Sequence, residues 1–219
     1  MILLLVLSAA LPLVGKMEFV LLDGSQNGWG VIQWPVVAAD PSVAEGINMI
    51  LDYERVTGEP LHETISIFKE TGHGITSSRF EVNFMDNEYL DLSITMEFYG
   101  AYPSTFVSSY LFNLENGELV RETGLFRPEM MDELVQLCDS LLQENIRRKQ
   151  EEEGDLFHTD RDHHFSRDDL GSAGMRENGL VFEYSFGYPH VILAAEPSGV
   201  IFLTWEELEN YVLPGVPRN

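Results

Sequence analysis

The 219-residue sequence has a single cysteine, Cys138, which excludes an internal disulfide framework and any CxxC metal or redox motif. Basic residues are scarce: 13 Lys and Arg stand against 36 Asp and Glu, a formal charge of -23 at pH 7. A field of that sign repels phosphate backbones and anionic lipid surfaces, which argues against nucleic acid as a partner. No apolar stretch reaches the ~18 to 20 residues needed to span a bilayer as a helix. There is no H-x-x-x-H metal motif and no G-x-S-x-G serine elbow. The glycines of Gly24 to Gly30 have no Lys-Ser or Lys-Thr after them, so that stretch reads as a surface turn rather than a phosphate-binding loop. What the chain does have is apolar residues, 44% of the total, enough for the core of one domain or two small lobes.

The N-terminus carries an apolar run, Ile2 to Leu7, then Ser8, Ala9 and Ala10, then a second apolar group ending at Val14. That is the length of a signal-peptide core, without the basic residues that normally precede one. We expect residues 1–16 to be an export signal or anchor; the alternative is an ordinary buried strand or helix. The expected localisation is secreted or periplasmic, with tethering to the envelope through that segment, and no integral membrane domain beyond it.

After Lys16 the pattern is one of strands interrupted by three helices. In Tyr89 to Tyr99, Leu90, Leu92, Ile94, Met96 and Phe98 alternate with Asp91, Ser93, Thr95 and Glu97, which predicts one buried and one wet face. Phe80, Val82 and Phe84 repeat the period, and Asp86-Asn87 supplies turn chemistry between the runs, so the two form an antiparallel hairpin. A third strand, Thr105 to Leu114, ends at Asn116-Gly117, a pair that tolerates positive φ and sends the chain back through Glu118 to Val120. Glu177-Asn178-Gly179 reads as another tight turn before Leu180 to Phe186. Val200 to Leu203 is the last apolar stretch.

Asp40-Pro41 places a capping acceptor before a proline at the first helical position, and Val43, Ile47, Ile50 and Leu51 make an apolar stripe that stops by Gly58. A long helix is predicted from Pro128 to Glu153. Met130, Leu134, Leu137, Cys138 and Leu141 share its apolar face, with Met131, Leu142 and Ile146 beside them, and Arg147, Arg148 and Lys149 lie in its last turns. Cys138 on that stripe reads as a small buried hydrophobe. Thr204 and Glu207 form a T-x-x-E capping box for a short helix that buries Leu208 and Val212. Strands in runs, with helices between blocks, predict an α+β fold: an antiparallel sheet with a long helix packed on one face and two shorter helices.

The densest set of chemical groups is Phe157 to Gly171, with His158, Asp160, Asp162, His163, His164, Asp168 and Asp169. All are ligand types for zinc or a similar cation. The spacing does not support a site. Adjacent His163 and His164 point different ways on any regular element, and Arg161 and Arg167 interrupt the set with positive charge. The Asp160-x-Asp162 pair lacks the glycine turn and terminal glutamate of a calcium loop. No metal and no cofactor are expected.

Several blocks, in order, resemble one known arrangement. Ile32-Gln33-Trp34-Pro35 with Glu45-Gly46-Ile47-Asn48 is similar to the opening of the DUF4163 region that precedes deacetylase modules of the PdaC type. Phe80 to Phe98, ending in Leu92-Ser93-Ile94, is similar to its hairpin. Gly100-Ala101-Tyr102-Pro103 with Tyr110 to Gly117 resembles the block that opens the DUF3298 domain, found also in the extracytoplasmic part of RsiV-type anti-sigma factors. Glu177 to Phe182, Tyr188-Pro189 and Ala194 to Gly199 resemble its closing block. The departures are Tyr102, where a histidine is usual, and one glycine, Gly100, where two are common.

The resemblance implies a DUF4163-like region over 17–99 and a DUF3298-like region over 100–219, expected to form one compact unit. It implies recognition of an envelope-associated ligand, which in RsiV-like proteins is lysozyme, and no established chemistry. The expected function is therefore a non-catalytic extracytoplasmic recognition domain, with a cationic lysozyme-like protein or a cell-wall component as partner. The alternative is an enzyme acting on cell-wall polysaccharide through the Asp/His loop, assisted by Glu97. In the 151–169 block eight carboxylates face two arginines. The expected binding residues are Glu151, Glu152, Glu153, Asp160 and Asp162 there, and Gly100, Ala101, Tyr102 and Pro103 in the turn.

Overall fold

The computed structural model describes residues 13–22, 29–153, 162–188 and 196–216. Residues 1–12 of the expected export segment lie outside the described residues, as does the 24–28 part of the glycine-rich stretch; residues 13–16 lie in a strand. The chain divides into two compact units. One is Met1–Ser108 with Phe112–Glu118, the other Ser109–Leu111 with Leu119–Asn219.

The first unit is built on a five-stranded sheet of order β1-β2-β3-β4-β5. The strands are β1 (Leu13–Leu22), β2 (Trp29–Ala38), β3 (Gly74–Met85), β4 (Tyr89–Tyr99) and β5 (Ser104–Asn113). β1 and β2 pair antiparallel, β3 and β4 likewise, while β2 and β3 run parallel through Val31↔Ser77 and Ile32↔Ser78. A parallel pair needs a crossover, and here it carries α1 (Pro41–Ile50), α2 (Tyr53–Thr57) and α3 (Leu61–Thr71). Gly30 sits at that close approach: a Cβ there would lie 1.9 Å from the Thr76 carbonyl oxygen.

Asp40 caps α1 as expected, its carboxylate accepting from the Ser42 N–H at 3.1 Å. The stripe expected to run unbroken to Gly58 is two helices, because Asp52 caps a second one by accepting from the Arg55 N–H. Gly58, at φ 81°, does end it. Asn48 on α1 behaves as a strand neighbour. Its Nδ2 donates to the Val37 carbonyl at 2.8 Å and its Oδ1 accepts from the Val37 N–H at 2.9 Å. Trp34 is buried with its Nε1 donating to the Leu51 carbonyl at 2.6 Å and its ring edge-on to Tyr53, centroids 4.7 Å apart. Helix α3 is absent from the sequence reading for a physical reason: its apolar side is thin, with only Thr64 and Phe68 buried. Gly117 turns the chain with φ 74°, and a Cβ there would meet the Val43 carbonyl oxygen at 2.7 Å.

On β4 the predicted period holds in the centre, where Leu90, Leu92 and Ile94 are fully buried, but on β3 Val82, expected in the core and paired with Leu92, is exposed, and Phe80 and Phe84 are half-buried. The ends of β4 depart from the period. Asp91, expected on the wet face, is buried, and Phe98, expected in the core, is exposed. The alternation of β4 itself is unbroken; both of its faces are covered at Tyr89–Leu92 and both are open near its end, while the extra residues lie in β3. The register shifts between Val82 and Phe84, so Asn83 is an extra residue and its Nδ2 donates to Asp91 Oδ1 at 2.7 Å. A second shift between Ile75 and Ser77 displaces the pairing beside Glu97 and Phe98. The turn matches the expectation: the Asp86 carboxylate accepts from the Glu88 and Tyr89 N–H groups at 2.8 and 2.7 Å.

The second unit holds a three-stranded sheet of order β6-β7-β8, antiparallel throughout, with β6 (Gly174–Arg176), β7 (Gly179–Glu183) and β8 (Val200–Thr204). It also contains the short α4 (Glu122–Leu125) and the long α5 (Met131–Glu153), preceded by a 3₁₀ turn at Pro128–Met130. The buried stripe of α5 is Met131, Leu134, Cys138, Leu142 and Ile146, with Leu137 and Leu141 half-buried at its side. Met130, expected on the stripe, falls in the 3₁₀ turn. Polar side chains make α5 a spine: Gln143 Nε2 donates to the His163 carbonyl at 2.5 Å, and Asn145 Nδ2 to the Ser198 and Val200 carbonyls at 3.0 and 3.3 Å.

Arg176 and Gly179 are paired, so the β6–β7 turn is Glu177-Asn178 and Gly179 is a strand residue rather than part of the turn. Trp205 clamps that turn, its Nε1 donating to the Glu177 carbonyl at 3.0 Å. The Thr204–Glu207 box forms, with Glu207 Oε2 accepting from the Thr204 N–H and hydroxyl, both at 2.8 Å. Beyond the box the chain runs through a series of turns rather than the expected helix, and it still buries Leu208 and Val212 completely.

Candidate recognition surface

The sequence proposes two binding regions, one in each unit. In the first unit, Gly100 to Pro103 is the turn joining β4 to β5. Tyr102 is 73% exposed, Ala101 and Pro103 are exposed, and Gly100 is half-buried against Phe98. In the flanking strands Phe98, Tyr99, Phe106 and Val107 are exposed as well, with the His73 ring 5.5 Å from Tyr99. A signal for this was present: the seventeen residues from Phe98 to Leu114 contain no charged side chain, in a chain where 22% of residues are charged. Exposed aromatic side chains on an uncharged arm are what interaction sites offer and what a solvated face avoids. Glu97, just before the arm, is held by the Ser77 hydroxyl at 2.8 Å and by Arg79 at 3.6 Å on the exposed side of the sheet.

In the second unit Glu151 and Glu152 at the acidic end of α5 are exposed and Glu153 is half-buried, and the charge is partly neutralised within the helix. Arg147 lies 3.9 Å from both Glu144 and Glu151, and Lys149 Nζ is 2.8 Å from Glu153. Each such pair is worth little in water, yet it takes up charge that a partner would otherwise meet. Glu152 and Asp162 are exposed. Asp160 and His158 lie outside the described residues.

The described part of the Asp/His loop is organised for anchoring. His163 is buried among rings, with Phe186, Tyr188 and Tyr184 centroids at 4.9, 5.6 and 6.0 Å, and its Nδ1 lies 3.2 Å from the Tyr184 hydroxyl. His164 points the other way, to solvent and to Asp139, Nδ1 to Oδ2 3.2 Å. Burial on its own would raise the Asp139 carboxyl. The Phe165 N–H at 2.9 Å, with His164 and Gln143, outweighs it and holds the group below the usual carboxylate range. Asp169 likewise accepts from the Ser166 N–H and hydroxyl at 2.7 and 2.6 Å. These carboxylates are therefore occupied in fixing residues 163–166 to α5 and to one another. Among the described residues no three metal-ligating side chains come together.

Cys138 is fully buried in α5, and burial pushes its thiol up to about 12. The thiolate is the reactive form. Native protein at pH 8 should therefore give no labelling with a thiol reagent until denaturant is added; full labelling of the native chain would contradict this packing.

Comparison with protein-family profiles and with curated proteins finds no match. Solved structures do match. One is a member of the DUF3298 family from Bacteroides fragilis, with TM-score 0.55 and 12% identity over 92% of this chain and 93% of that one. Another is a DUF3298 family protein from Pseudomonas aeruginosa, with TM-score 0.55 and 11% identity over 94% of this chain and 96% of that one. At such identities the likeness is one of fold, and the fold of this chain is that of DUF3298 proteins.

Proposed function

We propose that this chain, with its DUF3298 fold, is a non-catalytic recognition domain that works outside the cytoplasm, exported or held at the envelope, and binds a strongly basic protein of the lysozyme kind. The DUF4163-like blocks at Ile32–Pro35 and Glu45–Asn48, and the DUF3298-like opening block at Gly100–Pro103 and Tyr110–Gly117 that RsiV-type proteins also carry, support that assignment. The observation that carries it is the exposed, uncharged aromatic turn at Tyr102. Large aromatic side chains anchor interfaces because they bury much area for few rotors, and Tyr102 is 73% exposed. The net charge supplies the second part. A -23 molecule draws a cation toward it over a distance and orients the encounter, while the contact itself is made by apolar and hydrogen-bonding groups.

The test is titration calorimetry against lysozyme, with the native chain and Tyr102→Ala. Binding by the native chain and at least a tenfold loss in the variant are expected, since truncating a central aromatic anchor costs about 2 kcal/mol or more. No heat of binding, or equal affinity for both chains, rejects the reading. Binding of soluble cell-wall fragments with no binding of lysozyme would move the ligand from protein to polysaccharide.

A further inference from the structure

We propose that Ser104 to Ser108, the half of β5 whose outer side no described strand covers, is a pairing edge for a second copy of this chain, the two strands meeting antiparallel. β5 is the last strand of its sheet, with β4 as its strand neighbour. Its outer side is closed toward the C-terminal end, where the Val120 N–H donates to the Leu111 carbonyl at 2.8 Å and the Asn113 N–H donates to the Glu118 carbonyl at 2.9 Å. Alternate residues of a strand turn their main-chain groups to the same side. Thr105 and Val107 thus share the outward side with Leu111 and Asn113 and continue the row of donors and acceptors past the point where Val120 stops covering it.

Natural edges are blunted by lysines, prolines, inward charges or bulges. Ser104 to Ser108 carries no proline and no charge. Instead, neighbouring Phe106 and Val107, on opposite faces of the strand, are 55% and 56% exposed. The charge distribution selects the occupant. A chain of charge -23 repels its own copy almost everywhere, but pairing along this edge brings no carboxylate against another, because Phe98 to Leu114 is uncharged. With a twofold axis at Phe106, Thr105 faces Val107 of the second copy, Phe106 faces its own equivalent, and Ser104 faces Ser108. Five residues span about 17 Å, so the interface is small and the dimer weak, with a dissociation constant of roughly 10 μM to 1 mM.

Sedimentation equilibrium of the full chain from about 10 μM to about 1 mM, in low and in 1 M salt, tests this. A monomer–dimer equilibrium that tightens with salt is expected, because salt screens the repulsion between two copies. Val107→Glu, which sets like charges across the pair, and Val107→Pro, which removes an outward N–H, should each weaken it at least tenfold with the circular dichroism spectrum unchanged. Tyr102→Ala should leave it intact. Only monomer at every concentration and salt, or a dimer indifferent to both Val107 variants, overturns the proposal. The recognition reading fails separately: lysozyme binding weakens with salt and depends on Tyr102, whereas self-pairing strengthens with salt and depends on Val107.

Discussion

Trp34→Ala should destabilise the first unit by about 4 kcal/mol, the largest loss expected from any single truncation in that unit. Removing a buried tryptophan costs ~3–5 kcal/mol through lost transfer and cavity terms. Here the indole is 1% exposed and packs edge-on to Tyr53. Its Nε1 also satisfies the Leu51 carbonyl where α1 ends, at 2.6 Å; without it a buried acceptor is left unpaired. Trp34→Phe separates the two contributions, because it keeps a ring against Tyr53 and loses the donor. We expect about 1–2 kcal/mol for that variant. Urea unfolding followed by far-ultraviolet circular dichroism gives both numbers. A Trp34→Ala loss under about 1 kcal/mol would mean that β2 and the end of α1 are not joined in this way.

The second large effect concerns Gly179. A Cβ at that position would lie 2.0 Å from the Leu203 carbonyl oxygen and 2.9 Å from Thr204 Cα, both backbone atoms of β8. Neither can rotate away, so Gly179→Ala must push β7 and β8 apart or break their ladder at the Gly179↔Thr204 pair. Overpacking of movable side chains costs ~1–3 kcal/mol; a clash with main chain should exceed that, and we expect at least about 3 kcal/mol. Gly171→Ala is the control, since a Cβ there meets nothing within 4 Å, and it should change stability by less than about 1 kcal/mol. Equal melting curves for the two variants would contradict the register of β7 and β8.

That glycine shows how far the sequence could be read. Glu177-Asn178-Gly179 announces a reversal, and a reversal is there, but which residue turns and which pairs depends on the approach of β8, some 25 positions further on. The same holds in the hairpin. Leu90, Leu92 and Ile94 show their period directly and are buried, whereas Asp91 on the opposite face is buried too and bonded to Asn83, the extra residue of β3, which the alternation does not announce. Phe98 has the period of a core residue and is exposed because it lies at the end of β4, where Glu97 to Tyr99 are exposed on both faces. The cap at Asp40 and the box at Thr204 are readable because they are local, a donor and an acceptor within three residues. The role of Asn48, mimicking a strand beside Val37, is not, because only the packing of α1 against β2 brings the two together.

The candidate surface divides in the same way. Gly100 to Pro103 can be named from the sequence, and the uncharged run around it can be counted, but exposure of Phe106 and Val107 comes from β5 lying at the sheet edge. For the acidic block the sequence overstates the free charge. Glu151 and Glu153 sit one turn from Arg147 and Lys149, and the i,i+4 pairs form.

Guidance of a basic protein to this domain by the acidic field is tested most directly by the association rate with lysozyme as a function of salt, measured by surface plasmon resonance. We expect an on-rate that falls steeply between about 0.01 and 0.15 M salt, as the screening length shrinks from ~30 to ~8 Å. Replacing Glu151, Glu152 and Glu153 by glutamine should lower the rate at low salt with little change in dissociation. Absence of binding at either salt, or an on-rate indifferent both to salt and to those three substitutions, would contradict it.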